Sequence, residues 1–212
     1  MANSTDKPAI PITTSEWNDK FSENPEIWLF GREASEMARL TVQYWKLVGG
    51  DQTGRVVDIG CGQGKDTIYF LQNAMDVISV DGSETALERL SETASSLGLL
   101  TNSSCEDVQF YEIPTDRNIL FSHNCFQFLG DRCIPKMQEM MEKTPVGGIN
   151  SVSVFTDEAE RTRSHDKLRV FRHNELREFY QGWRLLYYDE NILWREPSLD
   201  YLSFARIIAV KQ

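Results

Sequence analysis

Short apolar runs alternate with amphipathic stretches from residue 55 to the end of the chain. The run Val56-Val57-Asp58-Ile59 is β-branched, four residues long and closed by glycines, the signature of a strand buried on both faces. Asp76-Val77-Ile78-Ser79-Val80-Asp81 repeats the pattern, and Ile119-Leu120-Phe121 and residues 149–155 give two more such runs. Between them helical periodicity is predicted over 63–73, 84–96 (with Ser83 as N-cap) and within 129–143. A helix over 33–48, stopped by Gly49-Gly50, precedes the first strand. Residues 101–107 are polar for a strand, and 108–117, interrupted by Pro114, are predicted as a loop. A charged loop over 156–170, a helix over 174–180 and strands at 184–189 and 201–210, paired antiparallel across a long loop, complete the pattern. Residues 15–30 carry Trp17, Phe21, Trp28 and Phe30 without periodicity, which reads as an irregular arm that either closes a pocket or simply packs. Alternating strand and helix predict an α/β, doubly wound Rossmann-like sheet with helices on both faces. The expected division is an N-terminal arm over 1–30, disordered up to about Pro11, and one domain over 31–212.

Chemistry concentrates where the first predicted strand ends. Gly60, Gly62 and Gly64 follow it directly and a helix follows them. In that context Gly60 serves the tight turn, and Gly62 lets a ligand approach the backbone because a Cβ there points into the site. The helix start turns free N–H groups toward the same place. Asp81 closes the second strand, where a carboxylate can accept both hydroxyls of a ribose. Together they predict a nucleoside across the carboxyl edge of a parallel sheet. A dinucleotide fingerprint needs a small residue at the position Lys65 holds, which argues against NAD.

The order acid-x-Gly-x-Gly-x-Gly, from Asp58 to Gly64, is instead the pattern of class I S-adenosylmethionine methyltransferases. From Val57 onward the chain resembles the tellurite-resistance branch of that class. The resemblance is carried by VVDIGCGQGKDTIYF, FLGDRCIPKMQEMMEKTPVGGIN, HNELREFYQGWRLLYYDEN and FARIIAVK. It implies a seven-stranded sheet, mostly parallel with an antiparallel last strand, and S-adenosyl-L-methionine as cofactor. It further implies that Asp58, Gly60 and Gly62 line the methionine part, with Cys61 in the same loop, and that Asp81 and Gly82 meet the ribose. Asp107 and Val108 would face the adenine, Ser122 and His123 would lie beneath the methionine, and Arg32 would take its carboxylate. The family's His-Arg pair between the last two strands reads Trp194-Arg195 here, and a further family arginine has no match. Arg195 and His123 are therefore the candidate catalytic residues.

Composition narrows the partners. A net charge of −10 over 212 residues disfavours nucleic acid and anionic membranes, leaving a small-molecule acceptor. No apolar run reaches the length of a membrane span and the start is polar, so a cytoplasmic protein is expected. Cys61, Cys105, Cys125 and Cys133 form no C-x-x-C pair, and neither disulfides nor a metal site is expected. The basic run Arg161, Arg163, Lys167, Arg169 and Arg172 is balanced by neighbouring acids, and His165 and His173 read as solvent-facing. A non-catalytic cofactor-binding regulator and, behind it, a nicotinamide oxidoreductase are the competing readings.

Overall fold

The computed structural model describes residues 11–24, 27–50, 53–159, 168–195 and 200–212; at 193–195, 200 and 201 it describes the backbone alone. The expected disordered start, His165 and most of the basic run (Arg161, Arg163, Lys167) lie outside the described residues.

Seven strands form one sheet: β1 (Arg55–Ile59), β2 (Asp76–Asp81), β3 (Asn102–Cys105), β4 (Ile119–His123), β5 (Ile149–Phe155), β6 (Arg184–Arg195) and β7 (Asp200–Val210). Their spatial order is β3-β2-β1-β4-β5-β7-β6. β7 runs antiparallel to both neighbours, and the pairings β2–β3, β1–β2, β1–β4 and β4–β5 are parallel. The order reverses at β1, the switch point where open α/β sheets leave a crevice at the carboxyl ends of their strands.

Strand alternation feeds two cores. Val57, Ile59, Leu120, Val152 and Val154 face α5 (Cys133–Lys143) through Met137 and Met140. Val56, Ile119, Phe121 and Ile149 face the other way, onto Met37, Ala38, Val42 and Trp45 of α2 (Glu36–Leu47). α3 (Lys65–Gln72), α4 (Glu84–Ser96) and the short α6 (Glu175–Phe179) complete the layers. Ser83 caps α4 as its sequence predicts, its hydroxyl accepting from Ala86 N. Residues 108–117 hold no helix, in line with Pro114.

Two expectations are corrected. The arm is not irregular: α1 (Thr14–Ser22) is a regular helix, and Thr13 and Glu16 form a reciprocal capping box at its start. The loop expected between the last two strands is largely strand: β6 and β7 pair as far as Arg195 with Asp200. β6 is a sheet edge, and its polar residues Asp189, Glu190 and Asn191 mask the strand pattern that burial would have written.

Candidate functional site

At the carboxyl edge of β1, β2 and β4 lies a cavity of about 370 Å³. Its floor is the glycine loop. Gly60 has φ 74°, and a Cβ there would meet Cys125 Sγ at 2.3 Å, so the turn requires glycine. Backbone N–H groups of Gly60 and Cys61 both donate to Val80 O, at 2.8 and 3.0 Å, tying the loop to β2. Gly62 N donates to Asp81 Oδ2 at 2.8 Å, and Ser83 N donates to Asp81 Oδ1 at 2.9 Å. Each oxygen of Asp81 thus holds one backbone donor and keeps a lone pair for a ligand. Burial pushes its pKa up, and these two N–H groups work against that rise.

Asp58 lies deeper. Only 2 % exposed, it accepts from the Thr67 hydroxyl at 2.6 Å. Burial first, and the nearby Asp66 second, push its pKa to about 8. Asp66 accepts from Ser35 N at 2.6 Å and so anchors the start of α2 to the loop. Asp107 holds Gln109 N at 2.9 Å and reaches the cavity beside Val108. Burial raises the pKa of Cys61 and Cys125, which keeps both thiols protonated and makes them packing groups.

His123 forms part of the wall at the end of β4. Burial lowers its pKa to about 4, so it is neutral at physiological pH. Ser153 Oγ donates to Asn124 Oδ1 at 2.7 Å, which turns Asn124 Nδ2 toward His123 Nε2 at 3.4 Å. Nε2 is therefore the lone-pair nitrogen of the ring, and Nδ1 is sealed without a hydrogen-bond partner.

The roof is aromatic. Trp17 and Phe21 of α1, with Trp28 and Phe30 after it, line the cavity. Trp17 packs edge-on against Phe128 at 4.9 Å, and Phe155 against Phe204 at 5.1 Å. Polar contacts fix this cover. Ile12 N donates to Phe128 O, Asn18 Oδ1 accepts from Ser83 Oγ and Thr85 N, and Gln63 bonds both Ile27 O and Leu29 N. α1 comes so close to the loop after β2 that a Cβ on Gly82 would meet Thr14 Cγ2 at 2.3 Å.

The cavity therefore gathers Asp58, Gly60, Cys61, Gly62, Asp81, Gly82, Asp107, Val108 and His123. Of the other candidates, Ser122 and Arg32 are not among its lining residues. Ser122 is buried and donates to Ile59 O at 3.2 Å; strand alternation turns it away from the face that carries His123. Arg32 is exposed and lines a neighbouring groove with Glu33 and Arg39. Lys65 is the cation in the cavity wall instead, its Nζ donating to Phe30 O at 2.9 Å. Trp194 and Arg195 lie on paired strand rather than in a loop, and the Arg195 side chain is outside the described residues. Arg169 and Arg172, from the basic run, both pair with Glu175. Sequence reasoning also missed Gln63, Asp66, Asn124 and Phe204 as lining residues, although all but Asn124 lie within the motifs that carry the resemblance.

Residues 35–195 match the family described as tellurite resistance protein TehB. A Haemophilus influenzae protein named "Probable S-adenosyl-L-methionine-dependent methyltransferase TehB" is 31 % identical over 141 residues, 65 % of this chain and 49 % of that protein. The chain thus spans about half the length of the curated relatives it matches. The crystal structure of TehB from Haemophilus influenzae superposes with a TM-score of 0.72 at 25 % identity, covering 92 % of this chain and 67 % of that one. A Burkholderia thailandensis 1,6-didemethyltoxoflavin-N1-methyltransferase with bound S-adenosylhomocysteine shares the fold, with a TM-score of 0.68 at 17 % identity, covering 100 % of this chain and 98 % of that one. Among the described residues no helix is long and apolar enough to cross a membrane. The β1 glycine loop, the acid closing β2 and the seven-stranded order thus coincide with a match over most of the sequence: the chain belongs to the TehB family, within the class I S-adenosylmethionine-dependent methyltransferase fold.

Proposed function

We propose that this chain is an S-adenosylmethionine-dependent methyltransferase whose acceptor is a small molecule with an apolar body and a soft nucleophile. One observation carries the reading. A single cavity joins the glycine loop and the strand-tip carboxylates to a wall of aromatic rings. Among its described lining residues stand Asp66, Asp81 and Asp107 beside the mostly protonated Asp58, and, of Lys and Arg, Lys65 alone. That balance suits a cationic nucleoside and opposes a bare oxyanion.

The residues present fit the cofactor. Asp81 keeps free lone pairs for a ribose diol, Asp107 and Val108 flank the end of the cavity suited to a base, and Lys65 is the group placed for a carboxylate. When bound, S-adenosylmethionine supplies a methyl group on sulfonium sulfur, open to in-line displacement. The chain's own part is to hold the partners close and to exclude water, which are the main demands of such a displacement. The aromatic cover supplies the exclusion. His123, neutral and with a depressed pKa, is a weak base, and Asn124 faces its Nε2 lone pair, so it is a poor group for removing a proton from an acceptor. A nucleophile already ionised at neutral pH, such as an aryl thiolate, matches that weakness, because its methylation leaves no proton to remove.

The test is release of S-adenosylhomocysteine across aryl and alkyl thiols, tellurite, selenite and amines. Apolar thiols should turn over faster than tellurite. Brisk methylation of tellurite with none of thiols would overturn the acceptor class. Cofactor binding with no turnover on any acceptor would favour a regulatory, non-catalytic role.

A further inference from the structure

A second cluster of chemistry lies outside the cavity lining. Glu158 follows β5, His173 precedes α6, and Glu190 lies within β6. His173 Nδ1 is 2.5 Å from Glu190 Oε2 and 3.3 Å from Glu158 Oε1. One ligand atom from each residue lies within 4.8 Å of the others.

Glu190 makes this more than a surface grouping of acids. Its side chain is only 6 % exposed. Oε1 is satisfied, accepting from Asn174 N at 2.8 Å and from Tyr188 OH at 2.5 Å. Oε2 is sealed from solvent and accepts no hydrogen bond; it abuts His173 Nδ1 without donor geometry. A buried carboxylate oxygen left in this way is costly unless a cation meets it. Among the described residues no Lys or Arg pairs with Glu158 or Glu190: Arg169 and Arg172 go to Glu175, and Arg206 goes to Asp189 and Glu36. The contacts to Oε1 meanwhile fix the carboxylate's orientation, the role outer partners play for metal ligands.

We propose that Glu158, His173 and Glu190 form a divalent-metal site of the zinc class, with water completing the coordination. One imidazole nitrogen and two carboxylate oxygens are a borderline donor set, suited to zinc and its first-row neighbours more than to calcium or magnesium. Ligands about 2.0–2.1 Å from a tetrahedral ion stand roughly 3.3 Å apart. Nδ1 and Oε2 must then separate slightly and Glu158 approach. His173, at 65 % side-chain exposure, has the freedom to do so. The ion would bind both ends of segment 159–172 to β6. Those ends are already brought together by the bridge between Thr156 and Phe171, so the site is structural and needs no contact with the acceptor.

Chelator-treated, tag-free protein titrated with Zn²⁺ by calorimetry and with Co²⁺ by absorption tests this. One equivalent of each should bind, the cobalt spectrum should lack thiolate charge-transfer bands, and zinc should raise the unfolding temperature. His173→Ala should abolish both the binding and the rise in unfolding temperature. Glu158→Gln, a change at an exposed side chain, should weaken binding at least tenfold while leaving the metal-free unfolding temperature unchanged. Absence of saturable binding, as expected if His173 is only an imidazolium between two carboxylates, would overturn the site. So would binding that survives His173→Ala or that carries thiolate bands.

Discussion

Asp81 is expected to serve both the fold and the cofactor, and two substitutions separate these uses. In Asp81→Ala, Gly62 N–H and Ser83 N–H each lose their carboxylate acceptor. Hydrogen bonds to charged groups contribute about 1.5–3 kcal/mol each, so the pair stands for roughly 3–6 kcal/mol. Ser83 is fully buried, and water cannot easily replace its partner. Asp81→Asn keeps one acceptor oxygen and turns an NH₂ toward the other donor, losing about half of this. In a domain of this size that lowers the unfolding temperature by roughly 3–12 °C, and the alanine variant falls further. The asparagine variant still folds and can be titrated with cofactor. Losing one charge-assisted bond to a ribose hydroxyl should weaken its affinity about ten- to a hundred-fold. Differential scanning calorimetry gives the first quantity and isothermal titration the second. If Asp81→Asn binds the cofactor as wild type does, Asp81 is a loop clamp and no ligand group; if its unfolding temperature is also unchanged, the clamp fails as well.

Three further outcomes are expected. The folded pKa of Asp58, about 8, stands above its unfolded value of 3.8, so its contribution to stability is present below pH 4 and is lost as pH rises toward 8. Urea denaturation should show a slope of up to about 1.4 kcal/mol per pH unit between pH 5 and 7, and Asp58→Asn should remove it; equal slopes in both proteins would contradict a neutral Asp58. Gly62→Val should abolish cofactor binding with a native circular-dichroism spectrum, since φ is 54° there and a Cβ already comes within 3.6 Å of Phe21. Phe204→Ala should raise KM for an apolar acceptor roughly ten- to a hundred-fold, the worth of one buried aromatic side chain, with cofactor affinity within about twofold; an equal loss of both would place Phe204 on the cofactor side.

The parts of the fold legible in the sequence are those where one local rule operates. A β-branched run ending in alternate glycines can be little else than a buried strand entering a tight turn, and β1, its loop and α3 follow from it. Ser122 and Arg32, each assigned from the resemblance by its position along the chain, do not line the cavity. Alternation alone sets Ser122 opposite His123, and the Lys65 bond to Phe30 O, visible only in three dimensions, gives the cavity wall its cation. α1 hid behind its aromatics, although Thr13 and Glu16 had written its start at capping-box spacing. Arg32 and α1 both precede the span of the family match. The family match covers residues 35–195, which include the glycine loop, Asp81, Asp107 and His123. Trp17, Phe21, Trp28 and Phe30 precede it, and Leu202 and Phe204 follow it. Part of the cavity wall is thus supplied by the two ends of the chain, outside the span that the family model matches. A cofactor fixed by shared residues constrains the matched span. Under the proposed function, an acceptor that meets aromatic rings outside that span is not held to the chemistry of the matched residues.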